Sequence, residues 1–175
     1  MVRPMGENRF KSYIFVPEKA KYSKGLDRSN VDCLLCAMAR GDKEVEAKVV
    51  FQDDRNMIVL NKFPYNPGHL MVFPKNHVEK LTDLDEEDLV VFFKLVRKAS
   101  ALIEKTYDPK GMNLGINQGR AAGASVAHFH LHIVPRFESE TGFMEISAGS
   151  RVIHESLDDS LKKLLSNIEI LSKDE

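Results

Sequence analysis

Residues 127–134 of this 175-residue chain read Ala-His-Phe-His-Leu-His-Ile-Val. Side chains on an extended backbone alternate between two faces. His128, His130 and His132 therefore share one face, and Phe129, Leu131 and Ile133 share the other. Three imidazoles in a row are a poor choice for packing alone, because each buried ring nitrogen needs a hydrogen-bond partner. Two chemistries use such a row. Histidines at i and i+2 serve as metal ligands, and a neutral imidazole, abundant near pH 7, is a nucleophile. The preceding loop, Gly115 to Ser125, combines glycines with Asn117, Gln118 and a hydroxyl. Such a loop presents backbone N–H groups to an anion. Beside the histidines it suggests a phosphate site with a nucleophile at its centre. No GxxxxGK[ST] stretch is present. A second group is Cys33-Leu-Leu-Cys36. Its spacing suits metal or redox chemistry, and two cysteines cannot make a disulfide scaffold.

The elements that must position these residues are legible as patterns. A short helix is predicted from Cys33 to Arg40, stopped by Gly41. Strands are predicted at Ala47–Phe51 and Met57–Asn61, joined by Asp53-Asp-Arg-Asn56. The turn formers Pro64 to Gly68 lead into a strand at His69–Phe73, closed by Pro74. A long helix follows with Asp83 as its expected N-cap. Its apolar residues are Leu89, Phe92, Phe93, Val96, Ala99 and Ile103, and Asp108-Pro109 ends it. Strands at Met112–Asn117 and Val126–Pro135 come next. A last helix starts near Ser156, with Leu157, Leu161, Leu164, Leu165, Ile168 and Leu171 as its apolar stripe. Strands, helix, strands, helix in that order favour α+β with an antiparallel sheet. The length suits one domain: an arm at 1–30 with one strand at Tyr13–Val16, a catalytic region at 31–140, and an extension at 141–175.

Lys and Arg total 25 and Asp and Glu 26, a net charge of −1. This argues against a dedicated nucleic-acid binder, whose affinity comes from clustered cations. No apolar run approaches ~18 residues, so no membrane span is expected. The first fifteen residues lack a signal-peptide core, and a cytoplasmic protein is expected.

His128-Phe-His130-Leu-His132-Ile-Val134 resembles the histidine triad (HIT) motif, H-φ-H-φ-H-φ-φ with φ apolar. Pro67-Gly68-His69 resembles the upstream Pro-Gly-His segment of that family, and Gly123-Ala-Ser125 fits the segment before the triad. Tyr65 to His69, Asn117-Gln-Gly119, Pro135-Arg136-Phe137 and Gly142-Phe143-Met144 resemble the Fhit-like branch in bacteria and archaea. That branch holds dinucleoside polyphosphate hydrolases and diadenosine tetraphosphate phosphorylases. The resemblance implies the HIT fold, an antiparallel sheet of about five strands with one long helix and a C-terminal helix. It also implies a homodimer with a nucleotide substrate.

The resemblance further implies roles. His130, exposed beneath a cradle of amide donors, would attack the α-phosphate and form a nucleotidyl-histidine intermediate. Its other nitrogen must be protonated and held, normally by a carbonyl. His132 would bond phosphate or bridging oxygens, and His69 would support the site from the adjacent strand. Asn117 and Ser125, with the Gly123 backbone, would hold phosphate oxygens, and Asn61 would bind the ribose. Some relatives carry a structural zinc, which here implies Cys33, Cys36, His77 and His128 as ligands. A third histidine leans toward hydrolysis over transfer. The alternatives are a purine nucleoside phosphoramidase, a low-turnover nucleotide sensor, and a metal-dependent enzyme ligated by the triad. His154 is expected at the surface, and Arg120 and Arg136 at a distal phosphate, at the partner subunit or in solvent.

Overall fold

A computed structural model of the chain describes residues 31–138, 140 and 153–172. All of them belong to one compact unit. The strand expected at Tyr13–Val16, the 1–30 arm and Gly142-Phe143-Met144 lie outside the described residues.

The first element among the described residues is helix α1 (Leu34–Arg40). Cys33 caps it by accepting the Cys36 N–H, and Gly41 ends it in the left-handed region at φ 73°. Strands β1 (Val49–Gln52), β2 (Asn56–Leu60) and β3 (Leu70–Pro74) follow, then the long helix α2 (Glu86–Tyr107). Strands β4 (Gly111–Ile116) and β5 (Leu131–Arg136) and helix α3 (Leu157–Leu165) are the remaining strands and α-helix among the described residues. The five strands form one antiparallel sheet in the order β1-β2-β3-β5-β4.

Both faces of the sheet are covered. On one, Ile58, Leu60, Leu70, Val72, Leu131 and Ile133 pack against Phe92, Val96, Ala99 and Ile103 of α2, with Leu164 of α3 in the same cluster. On the other, Met57, Val59 and Phe73 pack against Leu35 and Met38 of α1. Met57 to Leu60 of β2 are all buried for this reason, which is why that stretch reads as a continuous apolar run rather than an alternation.

Two boundaries differ from expectation. Asp83 does not cap the long helix. It closes a 3-10 turn at Leu81–Asp83 by accepting the Lys80 N–H, and Asp85 caps α2 by accepting the Asp88 N–H. Of the expected stripe, Phe93 is 42% exposed, and Leu95 and Leu102 are buried in its place. The strand expected from Val126 begins only at Leu131. Both flanking ladders end at that residue, and upstream the Phe129 N–H goes to Val78 O at 2.7 Å. Alternation survives without the ladder: Phe129 packs into the α2 side with Leu131 and Ile133, while the histidines lie on the other side.

Candidate active site and metal centre

Each triad histidine has one nitrogen assigned by its neighbours. The Nδ1 of His130 lies 2.7 Å from the His128 carbonyl. A carbonyl only accepts, so Nδ1 carries the proton and Nε2 keeps its lone pair. His130 is 4% exposed, not open to solvent as the sequence suggested. Its ring packs edge-on to His132, at 4.9 Å between centroids, and belongs to neither apolar cluster. Burial lowers the His130 pKa, outweighing the carbonyl bond that favours the charged form, so the ring stays neutral.

His132 sits in β5 opposite Met71 of β3, and His69 immediately precedes β3. The Tyr65 N–H donates to His69 Nδ1 at 3.1 Å, which forces the His69 proton onto Nε2. That nitrogen lies 3.0 Å from His132 Nδ1. His132 Nδ1 is therefore an acceptor, and its own proton sits on Nε2. Asn61 Nδ2 stands 3.2 Å from His69 Nε2 and 3.5 Å from His132 Nδ1, so its N–H converges on the same lone pair. Its Oδ1 accepts the Phe63 N–H at 3.0 Å. The Asn61 amide is thus engaged with the histidines and its own loop, and a ribose would have to share it.

Gly68 fixes the approach to His69. Its φ is +77°, and a Cβ there would stand 2.6 Å from the Tyr107 ring, so only glycine fits. Tyr65, which sequence reasoning gave no role, also stacks its ring on His69 at 5.0 Å. Patterns of burial cannot reveal a main-chain donor such as Tyr65 N–H; only the residue type of the turn pointed to this loop.

The glycine loop differs from the anticipated cradle. Ala122 and Ala124 donate their N–H groups to Gly119 O, and Gly123 donates to Arg120 O, so these three amides turn inward. Gly123 is left-handed at φ 88° and exposed. Asn117 and Ser125 are half-buried on either side of this turn. Gln118 Oε1 accepts the Leu81 N–H, tying the loop to the entrance of α2. Arg136 is half exposed, pairs with the Glu140 carboxylate and donates to Asn113. His154 and Arg120 are exposed.

His128 faces a different group. Its Nε2 donates to Pro74 O at 2.8 Å, which leaves the Nδ1 lone pair 3.3 Å from Cys33 Sγ and 3.4 Å from Cys36 Sγ. His77 Nδ1 lies 3.3 Å from Cys36 Sγ. The four donor atoms all fall within 4.8 Å of one another. Tetrahedral zinc bonds of ~2.3 Å to sulfur and ~2.0 Å to nitrogen place S and N about 3.5 Å apart, so the donor set fits such an ion. The Pro74 carbonyl orients His128 as the outer partner of a metal-bound histidine does. Burial, with the Cys33 side chain adding to it, pushes the Cys36 thiol up to about 11, and burial takes His128 down to about 4. A cation would reverse the first and use the second, because it binds thiolate and neutral imidazole. An open groove of about 460 Å³ flanks this cluster, and His130 is not among its walls.

Three alternating histidines at the entrance of β5, each ring oriented by a neighbour and backed by His69 just before the adjacent strand, define a histidine-triad protein. The HIT domain model matches residues 42–139, and the chain belongs to the HIT family. It is 42% identical over 123 residues to AP-4-A phosphorylase of Mycobacterium tuberculosis, covering 68% of this chain and 62% of that protein's length. It is 35% identical over 96 residues to the asymmetrical bis(5'-nucleosyl)-tetraphosphatase of Schizosaccharomyces pombe, covering 55% and 53% of the two chains. The crystal structure of a Zn-bound histidine triad family protein from Mycobacterium smegmatis is similar with a TM-score of 0.67 at 26% identity, covering 81% of this chain and 96% of that one. No described helix is long and apolar enough to cross a membrane.

Proposed function

We propose that this protein cleaves the phosphoanhydride bond of dinucleoside polyphosphates of the diadenosine tetraphosphate kind, by hydrolysis or phosphorolysis. The observation that carries this is the His130–His128 bond, which commits Nδ1–H to a carbonyl and leaves Nε2 as a nucleophile. His130 Nε2 attacks the α-phosphorus, a P–N bond forms, and the P–O bond to the leaving polyphosphate breaks. His132, protonated on Nε2, gives that proton to the departing oxygen. Water or inorganic phosphate then attacks the phosphorus and gives a proton to His132 Nε2, the P–N bond breaks, and neutral His130 and His132 return. Asn117 and Ser125 hold the non-bridging oxygens, because catalysis at phosphorus is mostly positioning and charge stabilisation. His69 and Asn61 fix His132. The 42% identity to a phosphorylase and 35% identity to a tetraphosphatase support the substrate class and leave the acceptor open.

We further propose that Cys33, Cys36, His77 and His128 hold zinc. With four protein ligands it has no open position, so it supplies structure rather than a reactive water. The family reading also carries a homodimer.

Product analysis with diadenosine tetraphosphate in ¹⁸O-water, with and without phosphate, tests the activity. AMP plus ATP marks asymmetric hydrolysis. Two ADP with the label mark symmetric hydrolysis, and phosphate-dependent ADP plus ATP without label marks phosphorolysis. No turnover in any arm overturns the reading.

A further inference from the structure

The ladder between β3 and β5 runs from Val72 opposite Leu131 to Leu70 opposite Ile133. It does not reach Pro135, while β4 pairs with β5 as far as Arg136. Arg136 O accepts the Lys110 N–H on the β4 side, so the neighbouring Pro135 carbonyl faces β3, where no ladder donor meets it. A buried carbonyl needs a donor. Asn66 supplies it: Nδ2 donates to Pro135 O at 2.5 Å and to Glu140 Oε1 at 2.9 Å.

Asn66 is 1% exposed. With both Nδ2 hydrogens on acceptors, its Oδ1 is the one buried side-chain polar atom among the described residues without a partner. Turning the amide over would set Oδ1 against a carbonyl and a carboxylate, so the orientation is fixed. An orphaned buried acceptor is costly, which points to a use for the two bonds made by Nδ2.

That use lies in the turn before β3. The His69 N–H donates to Asn66 O at 3.2 Å, and the adjacent Tyr65 N–H donates to His69 Nδ1. Asn66 therefore pins the turn that sets the His69 proton onto β5, the strand that carries His132. Glu140 is itself braced by Arg136 Nε at 3.0 Å and the Phe137 N–H at 2.7 Å.

We propose that Asn66 is a positioning residue: by clamping the 65–69 turn to Pro135 and Glu140, it keeps Tyr65 N–H on His69 Nδ1 and thereby keeps the His132 proton on Nε2. This rests on the reading of His132 as the proton donor, and it adds a residue outside the triad to that machinery. The mechanical link is short, since Asn66 to Pro135 closes the open end of the same β3–β5 pair whose other rungs hold Met71 against His132.

The test uses the full chain with its metal, labelled with ¹⁵N-histidine, and two-bond proton–nitrogen spectra that separate Nδ1–H from Nε2–H rings. In the unsubstituted protein His69 and His132 are expected as Nε2–H. Asn66→Ala should give mixed tautomers at His69 and His132 and a kcat lower by on the order of 10- to 100-fold, with KM moved far less. Glu140→Ala, which removes the second acceptor, should do the same more weakly and serves if Asn66→Ala does not fold. A folded variant that keeps both tautomers overturns the proposal whatever its turnover, as does an unsubstituted His132 protonated on Nδ1. Unsubstituted protein with the assigned tautomers but no turnover instead overturns the enzymatic reading and leaves the clamp standing.

Discussion

His69 Nε2 donates to His132 Nδ1 across 3.0 Å, joining the residue that leads into β3 to the second residue of the neighbouring strand β5. This bond decides where the His132 proton resides, and hence which nitrogen can act as an acid. His132→Ala should lower kcat by on the order of 10²- to 10⁴-fold, the usual worth of a positioned proton donor. A substrate whose leaving group needs no proton should restore much of the loss. Equal loss with both substrates would remove His132 from that role.

His130→Ala should abolish turnover and leave nucleotide affinity within about tenfold, because it deletes the covalent step and little of the binding surface. Rapid-quench assays of the unsubstituted protein should trap a nucleotidyl adduct that is missing from the variant. Undiminished turnover in the variant would exclude it as nucleophile.

Gly68→Ala should destabilise the fold by about 1–3 kcal/mol, since alanine is strained at positive φ and its Cβ meets the Tyr107 ring. Urea titration measures this. The ring cannot yield freely, because the Tyr107 hydroxyl donates to Glu155 at 2.6 Å.

Glu155 sets an acid limit to stability. Burial would raise its pKa, but bonds from Lys163, Ser160 and Tyr107 outweigh burial and hold it below the ordinary glutamate value of 4.5. A depressed carboxylate contributes stability that is complete above its unfolded pKa and is lost as pH falls toward the folded one. Glu155→Gln should therefore cost stability at pH 6 to 8, and the deficit should shrink below about pH 4. Thermal melts across that range would show it; a deficit independent of pH would contradict it.

Chelation with a strong zinc ligand, or Cys36→Ser, should lower Tm by roughly ten degrees, at ~2–4 °C per kcal/mol for a chain of this size. Metal analysis of the purified protein should find about one zinc per chain, as four protein ligands around one ion require. Unchanged Tm on removal would leave the cluster as two thiols and two imidazoles without structural weight.

The sheet, both main helices and the Cys33/Cys36 pair were legible because each leaves a periodic or spacing signature, whereas His77 and His128 joined that pair only through the family resemblance. Period two in residues 128–133 placed the histidines on one face even where no ladder forms. Asp83 misled because an acidic residue three before Glu86 fits a cap, and the intervening 3-10 turn leaves no separate pattern. The tautomers were beyond reach of sequence, since they depend on the Tyr65 amide and the His128 and Pro74 carbonyls. Backbone groups are the same for every residue type. Asn66 and Glu140 meet across 74 positions in the chain, and no local pattern joins them.

His128 lends its carbonyl to His130 and its imidazole to the sulfur pair. A substitution at position 128 removes an imidazole from the proposed metal cluster and, through any shift of the backbone there, moves the carbonyl that orients the nucleophile, so its two readouts are conflated. Changes at Cys33 or His77, which leave the main chain at 128 in place, separate the proposed metal site from the chemistry.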